Sequence, residues 1–326
     1  MRLLVLGGTR FVGRLVLEAA LDRGWEVTAL HRGLTGVLPA GVTALVVDRT
    51  DVGAAREALG DTWDAVLDTW ADAPSVARDA AQLLTGRVER AAYVSSRSVY
   101  ADSSTMNRDE TAPVVDGDPD AGAVLYPADK RGGELAWLAG FPDVLLLRAG
   151  LVLGPYEDVA RLPWWLDRIS RGGRVVAPGR PERPLQYVDG RDLAAFALDG
   201  LEQGLTGAYD VVSAPGHTTM RELLETCIEV TGSDAELVWV GEAELAAAGA
   251  EPWTQLPCWL PESGEDAGFM AGDTRKALAA GLVCRALEQT VAGTWEWMQR
   301  EGVPKGRPGR EPGLPVEVER ALLSGG

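Results

Sequence analysis

Tyr126 and Lys130 stand four residues apart in YPADK, and upstream of them an apolar run ends in serines, AAYVSSRSVYAD from Ala91 to Asp102. Positions i and i+4 share one face of a helix, so the two side-chain heads can converge. A positive charge beside a phenol favours its anion and eases proton exchange near neutral pH. An ammonium is also compact enough to bond a ribose hydroxyl, which a guanidinium does poorly. Ser96 would then bond a substrate oxygen while Tyr126 gives or takes its proton, with Ser95 the lesser candidate. Lysine is scarce here. Of the 31 lysines and arginines only Lys130, Lys276 and Lys305 are lysine, which makes one at this spacing informative.

A second constellation lies at the start, in VLGGTRFVGR from Val5 to Arg14. An apolar run, a glycine turn and a helical pattern in that order are the context of a dinucleotide site. Gly7 allows the tight turn, Gly8 keeps side chains off a pyrophosphate, and Gly13 lets the helix approach the strand. Thr9, Arg10, Phe11 and Val12 complete the turn, whose free N–H groups and helix dipole suit phosphates. A NAD site carries Asp or Glu at the end of its second strand for the ribose 2′-hydroxyl. Here that strand ends TALHRGLTG, with Arg32 and no carboxylate. Arg10 and Arg32 read as a pair around a 2′-phosphate, which favours NADP(H) and leaves NAD(H) possible. Asp48, after the third strand, either bonds adenine or starts the next turn.

These residues need a scaffold that brings them to one edge. Apolar runs at Leu3–Leu6, Glu26–Leu30, Thr43–Val47, Ala65–Thr69, Ala91–Ser95 and Val144–Leu147 alternate with helical segments at Phe11–Arg23, Val52–Leu59, Ser75–Leu84 and Pro127–Leu138. The alternation predicts an α/β fold, a doubly wound parallel sheet of the Rossmann type, with ligands off the carboxyl ends of the strands. The expected division is a dinucleotide-binding domain over 1–154, with parts of 184–212 returning to it, and a smaller α+β substrate lobe over 155–301. Helices are expected near Val159–Ser170, Leu193–Leu201, Thr219–Val230 and Leu287–Met298, the third opened by a Thr219/Glu222 capping box. Glu251 to Gly268 reads as a long ordered loop, and the Pro/Gly-rich tail over 302–326 as poorly ordered.

The set GGTRFVGR, YVSSRSVY, YPADK and LRAGLVLGP resembles the extended short-chain dehydrogenase/reductase superfamily, in its NAD-dependent epimerase/dehydratase grouping and the GGTRFxG-bearing branch, over roughly residues 1–300. The resemblance implies Ser96 as hydrogen-bond donor to substrate, Tyr126 as acid/base, Lys130 on the nicotinamide ribose, and a cofactor phosphate near Arg10. It also implies that a homodimer is possible. The chain departs from the pattern at Arg10, where a glycine is usual, and at Arg97 and Ser98, where sugar-nucleotide dehydratases resemble one another in an Asp-Glu pair. Without those carboxyl groups water elimination lacks its proton donor and acceptor, so dehydration is disfavoured. Trp70 stands near the expected nicotinamide.

In the second lobe Arg183 resembles in placement the arginine that grips a nucleotide-sugar diphosphate; a structural salt bridge is the alternative. Trp164, Trp165, Trp253 and Trp259 either line a substrate pocket or belong to the core. The formal charge of −17 disfavours a nucleic-acid partner. Three separated cysteines fit reduced thiols in a cytoplasmic enzyme, two histidines offer no metal site, and no apolar run is long enough for a membrane. The expectation is an NADP-dependent reductase acting on a small-molecule carbonyl or alcohol. A nucleotide-sugar epimerase retaining its cofactor and a binding protein without turnover are the alternatives.

Overall fold

The computed structural model describes residues 1–307 and 312–324. The first half alternates strand and helix: β1 (Arg2–Leu6), α1 (Phe11–Asp22), β2 (Glu26–His31), β3 (Thr43–Val46), α2 (Val52–Ala58), β4 (Trp63–Asp68), α3 (Pro74–Leu84), β5 (Val88–Ser96), α4 (Tyr126–Gly140) and β6 (Leu145–Ala149). The chain continues through β7 (Leu151–Leu153), α5 (Arg161–Ser170), β8 (Arg174–Pro178), β9 (Pro184–Leu185), β10 (Tyr187–Asp189), α6 (Gly190–Gln203) and β11 (Gly207–Val211). It ends with β12 (Thr218–Thr219), α7 (Met220–Thr231), β13 (Glu236–Val240), α8 (Glu242–Ala247), α9 (Arg275–Ala279), α10 (Leu287–Glu301) and α11 (Val316–Ser324).

Seven strands form one sheet in the order β11-β6-β5-β4-β1-β2-β3, every neighbouring pair parallel. The middle strands are apolar without alternation because helices cover both faces. Leu3, Val5, Ala65 and Leu67 sink into one cluster with α1 and α6, and Leu4, Leu6, Val66 and Tyr93 into another with α3 and α4. The order reverses between β1 and β4, which opens a crevice at their carboxyl ends.

A third cluster joins α5, α7, α10, β8 and the loop after α8. Its pieces are locally specified. Thr219 accepts from Glu222 N–H and Glu222 reaches back to Thr219 N–H, the expected capping box. Asp189 caps α6 by accepting from Arg191 N–H at 2.8 Å. The segment Glu251–Gly268 carries turns and no helix, as its composition suggested. The described part of the tail differs from expectation: α11 is a helix, with Leu314 and Leu322 buried and Arg168 bonding Glu319 at 2.9 Å, while residues 308–311 and 325–326 lie outside the described residues. Its apolar positions follow a Pro/Gly-rich lead-in that masked them. No described helix is long and apolar enough to cross a membrane.

Candidate active site

The glycine turn follows β1 directly. Gly7 and Gly8 have φ of +124° and +109°, a backbone that disfavours any side chain. A Cβ on Gly13 would lie 2.7 Å from the nitrogen and 2.9 Å from the Cα of Gly8, so only glycine lets α1 close on the turn. Arg10 is the N-cap of α1 and makes no side-chain cap, which leaves the N–H groups around Phe11 and Val12 to a ligand. A dinucleotide's pyrophosphate fits this cradle. Thr9 is turned aside, its hydroxyl sharing a 2.9 Å bond with Thr35.

The Arg10 guanidinium turns to Asp158 in the loop before α5, at 3.5 Å. Arg32 stays at the exposed end of β2, beside Asp48. Asp48 starts a turn: its Oδ1 accepts from Thr50 N–H at 3.0 Å and from the Thr50 hydroxyl at 2.8 Å. Those bonds, and after them the charge of Arg32, hold its carboxyl below the usual range.

Tyr126 opens α4 and is the exposed member of the chemical set. Val124 N–H donates to Asp129 at 2.9 Å, which ties the entry loop to the first turn. Gly132 and Gly133 let the helix lie close to its neighbours: a Cβ on the first would meet Pro74 and the Asp118 carbonyl, and one on the second the Tyr93 ring. One turn after Tyr126, Lys130 is only 2% exposed. Its Nζ donates to the carbonyls of Trp70 at 2.6 Å and Val94 at 2.7 Å and lies 4.8 Å from the Tyr93 ring centre. Two of its three N–H donors are thereby used. Burial pulls its pKa down to about 7, opposed by Asp68 and Glu134.

The serines divide cleanly. Ser95 spends its hydroxyl proton on Glu134, at 2.7 Å in a buried network. Ser96 accepts from Ser98 N–H at 3.1 Å and keeps its own O–H to donate. Behind them Glu134 takes Arg148 through both oxygens, at 2.9 and 3.0 Å, and Arg131 at 2.8 Å. Burial alone would raise the Glu134 carboxyl, but these partners and Ser95 hold it below the usual range. Asp68, at the end of β4, is likewise saturated by Arg49 at 2.6 and 2.9 Å, the Trp137 indole and Trp70 N–H.

Trp70 is used by the scaffold. Its Nε1 donates to the Ala73 carbonyl at 2.9 Å and the Arg49 guanidinium stacks 5.0 Å from its ring centre. Trp165 is fully buried with Nε1 on the Pro257 carbonyl, Trp259 is 3% exposed, and Trp164 packs edge-on against Trp165 at 4.7 Å. Those three belong to the core of the second lobe. Trp253 is partly buried between Phe269 and the Arg161 guanidinium. Arg183 is 9% exposed, donates once to the Pro261 carbonyl at 2.9 Å, and has no partner at Nε. Arg191 pairs with Asp189 instead, at 2.7 Å. Cys258 is buried, and burial pushes its thiol far above the ordinary value.

Sequence reasoning noted Arg97 only as a departure from the dehydratase pattern and passed over Gln186 and Asp210. Arg97 leaves the strand after Ser96 and meets Asp210 at 3.2 Å and Gln186 at 3.3 Å, while Gln186 clamps both backbone groups of Gly272. Partners from such distant segments leave no local pattern to find. Burial raises the Asp210 carboxyl to about 6, against the pull of Arg97.

The family model for the NAD dependent epimerase/dehydratase family matches residues 3–211. Among solved structures, a candidate epimerase from Burkholderia cenocepacia superposes with a TM-score of 0.71 at 22% identity, covering 92% of this chain and 98% of that one. The Bordetella bronchiseptica enzyme WbmH, in complex with NAD+, gives 0.71 at 18%, covering 93% and 99%. Thermus thermophilus UDP-glucose 4-epimerase, in complex with NAD, gives 0.67 at 21%, covering 92% and 100%. At such identities the likeness is one of fold. A search of curated proteins finds no match.

Proposed function

The chain belongs to the NAD-dependent epimerase/dehydratase family, as an enzyme of the extended short-chain dehydrogenase/reductase type, and from that premise we propose an NADP(H)-dependent oxidoreductase that interconverts a small-molecule carbonyl and its alcohol. The observation that carries the reading is the division of labour at and after the end of β5: Ser96 retains a free O–H, Tyr126 is exposed, and Lys130 is buried one helical turn after it. Ser96 donates to the substrate oxygen and fixes its position. Tyr126 delivers the proton to that oxygen in reduction or removes it in oxidation. Lys130 bonds the nicotinamide ribose with its remaining N–H. The bound nicotinamide supplies or accepts the hydride.

Preference for the 2′-phosphorylated cofactor rests on Arg32. The chain at the end of β2 itself carries this guanidinium and no Asp or Glu, and the neighbouring Asp48 carboxylate is engaged by Thr50. Titration with NADPH and NADH, followed by tryptophan fluorescence, tests this: Arg32→Ala should weaken NADPH about tenfold and leave NADH nearly unchanged. Equal affinity for both cofactors would remove the preference. Tyr126→Phe should lower turnover by about 10²- to 10⁴-fold without loss of cofactor binding. Unchanged turnover would take Tyr126 out of the mechanism.

A second reading, epimerisation of a nucleotide sugar, is favoured by Arg183, whose buried guanidinium has no ion-pair partner among the described residues and an unpartnered Nε. Such a ligand would bring a diphosphate to it. Stoichiometric loss of NADPH with a carbonyl substrate supports the first reading. Interconversion without net cofactor use supports the second.

A further inference from the structure

After α10 the chain runs on to Arg307, whose side chain meets the loop before α5. The Arg307 guanidinium grips both oxygens of Asp158, Nε to Oδ2 at 3.1 Å and Nη2 to Oδ1 at 3.0 Å. Oδ2 of the same carboxylate also takes Nη1 of Arg10 at 3.5 Å. Two guanidiniums thus converge on one anion, and one of them belongs to the N-cap of the helix whose N–H groups suit a pyrophosphate. Arg307 is also close enough to Lys130 for its charge to oppose the ammonium there, after burial and against Asp68 and Glu134. Arg307 thus meets Arg10 across Asp158 and lies within charge range of Lys130, the two ends of the gap from the glycine turn to the lysine. A dinucleotide with its phosphates on the turn and its ribose on Lys130 must cross that gap.

The chemistry of the pair suits exchange. The side chains of Arg10 and Arg307 are 53% and 45% exposed, so their hold on Asp158 is weak and solvent-screened. A phosphate offers the same two-oxygen face as a carboxylate, to which a guanidinium fork binds through two parallel charge-assisted bonds. Arg10 and Arg307 bring two positive charges to the single charge of Asp158, a local surplus that favours an incoming anion.

We propose that Arg307, delivered by the segment after α10, is a ligand of the cofactor pyrophosphate that gives up Asp158 for the phosphate oxygens. This rests on the cofactor reading above. The test measures binding by fluorescence and calorimetry for wild type, Arg307→Ala, Arg307→Lys and Asp158→Asn, using NADPH, NADH, ADP-ribose and 2′-AMP. ADP-ribose carries the pyrophosphate without nicotinamide, and 2′-AMP carries neither. Arg307→Ala should weaken both dinucleotides and ADP-ribose about tenfold and leave 2′-AMP unchanged. Arg307→Lys should fall between, and Asp158→Asn should tighten ADP-ribose a few-fold by removing the competing anion. ADP-ribose affinity unchanged in Arg307→Ala, an equal loss for 2′-AMP, or weakened ADP-ribose binding in Asp158→Asn would each overturn the proposal while leaving the cofactor site standing. A wild-type protein that binds neither dinucleotide nor ADP-ribose would defeat the cofactor reading itself, and this one with it. Matching thermal melts exclude misfolding as the cause of a loss.

Discussion

At the glycine turn the decisive positions have no side chain, and what they present to a ligand is backbone N–H. Behind Ser96 the decisive positions are buried charged side chains: Glu134 and Asp68 are fully enclosed, each with several donors. The turn recognises by leaving room, and the wall behind the serines positions by filling it. The first kind of site tolerates changes of charge and fails on added volume. The second kind fails when one partner is removed, because a buried charge left alone has lost both water and its counter-ion.

The sharpest way to break this contrast is Glu134→Ala. It strands the buried Arg148 and frees Ser95, and should cost about 3–5 kcal/mol in denaturant unfolding. A cost under about 1 kcal/mol would mean that Arg148 finds other partners and that the wall is not built as described. Next comes Gly13→Ala, whose Cβ would press on the backbone of Gly8 at 2.7 and 2.9 Å. Neither atom is the end of a flexible chain, so the turn must open, and dinucleotide affinity should fall by about a hundredfold with a smaller loss of stability. Intact binding would show that the turn does not need the close approach.

A third substitution applies the volume test to the wall. A Cβ on Gly272 would overlap Nη2 of Arg97, which Asp210 and Gln186 hold in place. Gly272→Ala should cost about 1–3 kcal/mol, less than Glu134→Ala, because the Arg97 side-chain terminus can shift while a stranded buried charge cannot regain its partner. A cost equal to that of Glu134→Ala would erase the distinction between filling and pairing.

The same contrast explains what could be read without coordinates. The turn and the strands β1 to β6 were legible because their causes are local: a glycine at a fixed spacing, or a short apolar run, buried on both faces in the central strands and largely exposed in the edge strand β3. Tyr126 and Lys130 were legible as a pair for the same reason, being one helical turn apart. The strand β11 was not, since GAYDV holds a glycine and a buried aspartate whose partners come from far along the chain. Tyr100 and Asp210 are 110 residues apart and bond at 2.6 Å. Arg10 was read with Arg32 around a 2′-phosphate; its partner Asp158, 148 residues distant, left no local pattern to find. The tryptophans of the second lobe were ambiguous in sequence because an indole fills a core and lines a pocket equally well, and burial alone decides.

Lys130 sits where the two kinds of site meet, and its proton gives the smallest but most discriminating test. Its pKa is held at about 7 by burial, against Asp68, Glu134 and Asp129, with Arg307 opposing the ammonium. In the unfolded chain the value is the ordinary 10.5, so between about pH 7 and 10.5 the unfolded state holds more protons. This group's contribution to stability therefore rises with pH across that window and is most unfavourable below it. Dinucleotide phosphates bring negative charge to the same cleft and favour the ammonium. Binding should then take up a fraction of a proton near pH 7.5, and affinity should weaken with rising pH by at most about tenfold per unit. Calorimetry in buffers of different ionisation enthalpy measures that uptake directly. Lys130→Met should abolish it, since removing the amine removes the proton; uptake that persists in the variant would place the titrating group elsewhere and leave Lys130 charged throughout.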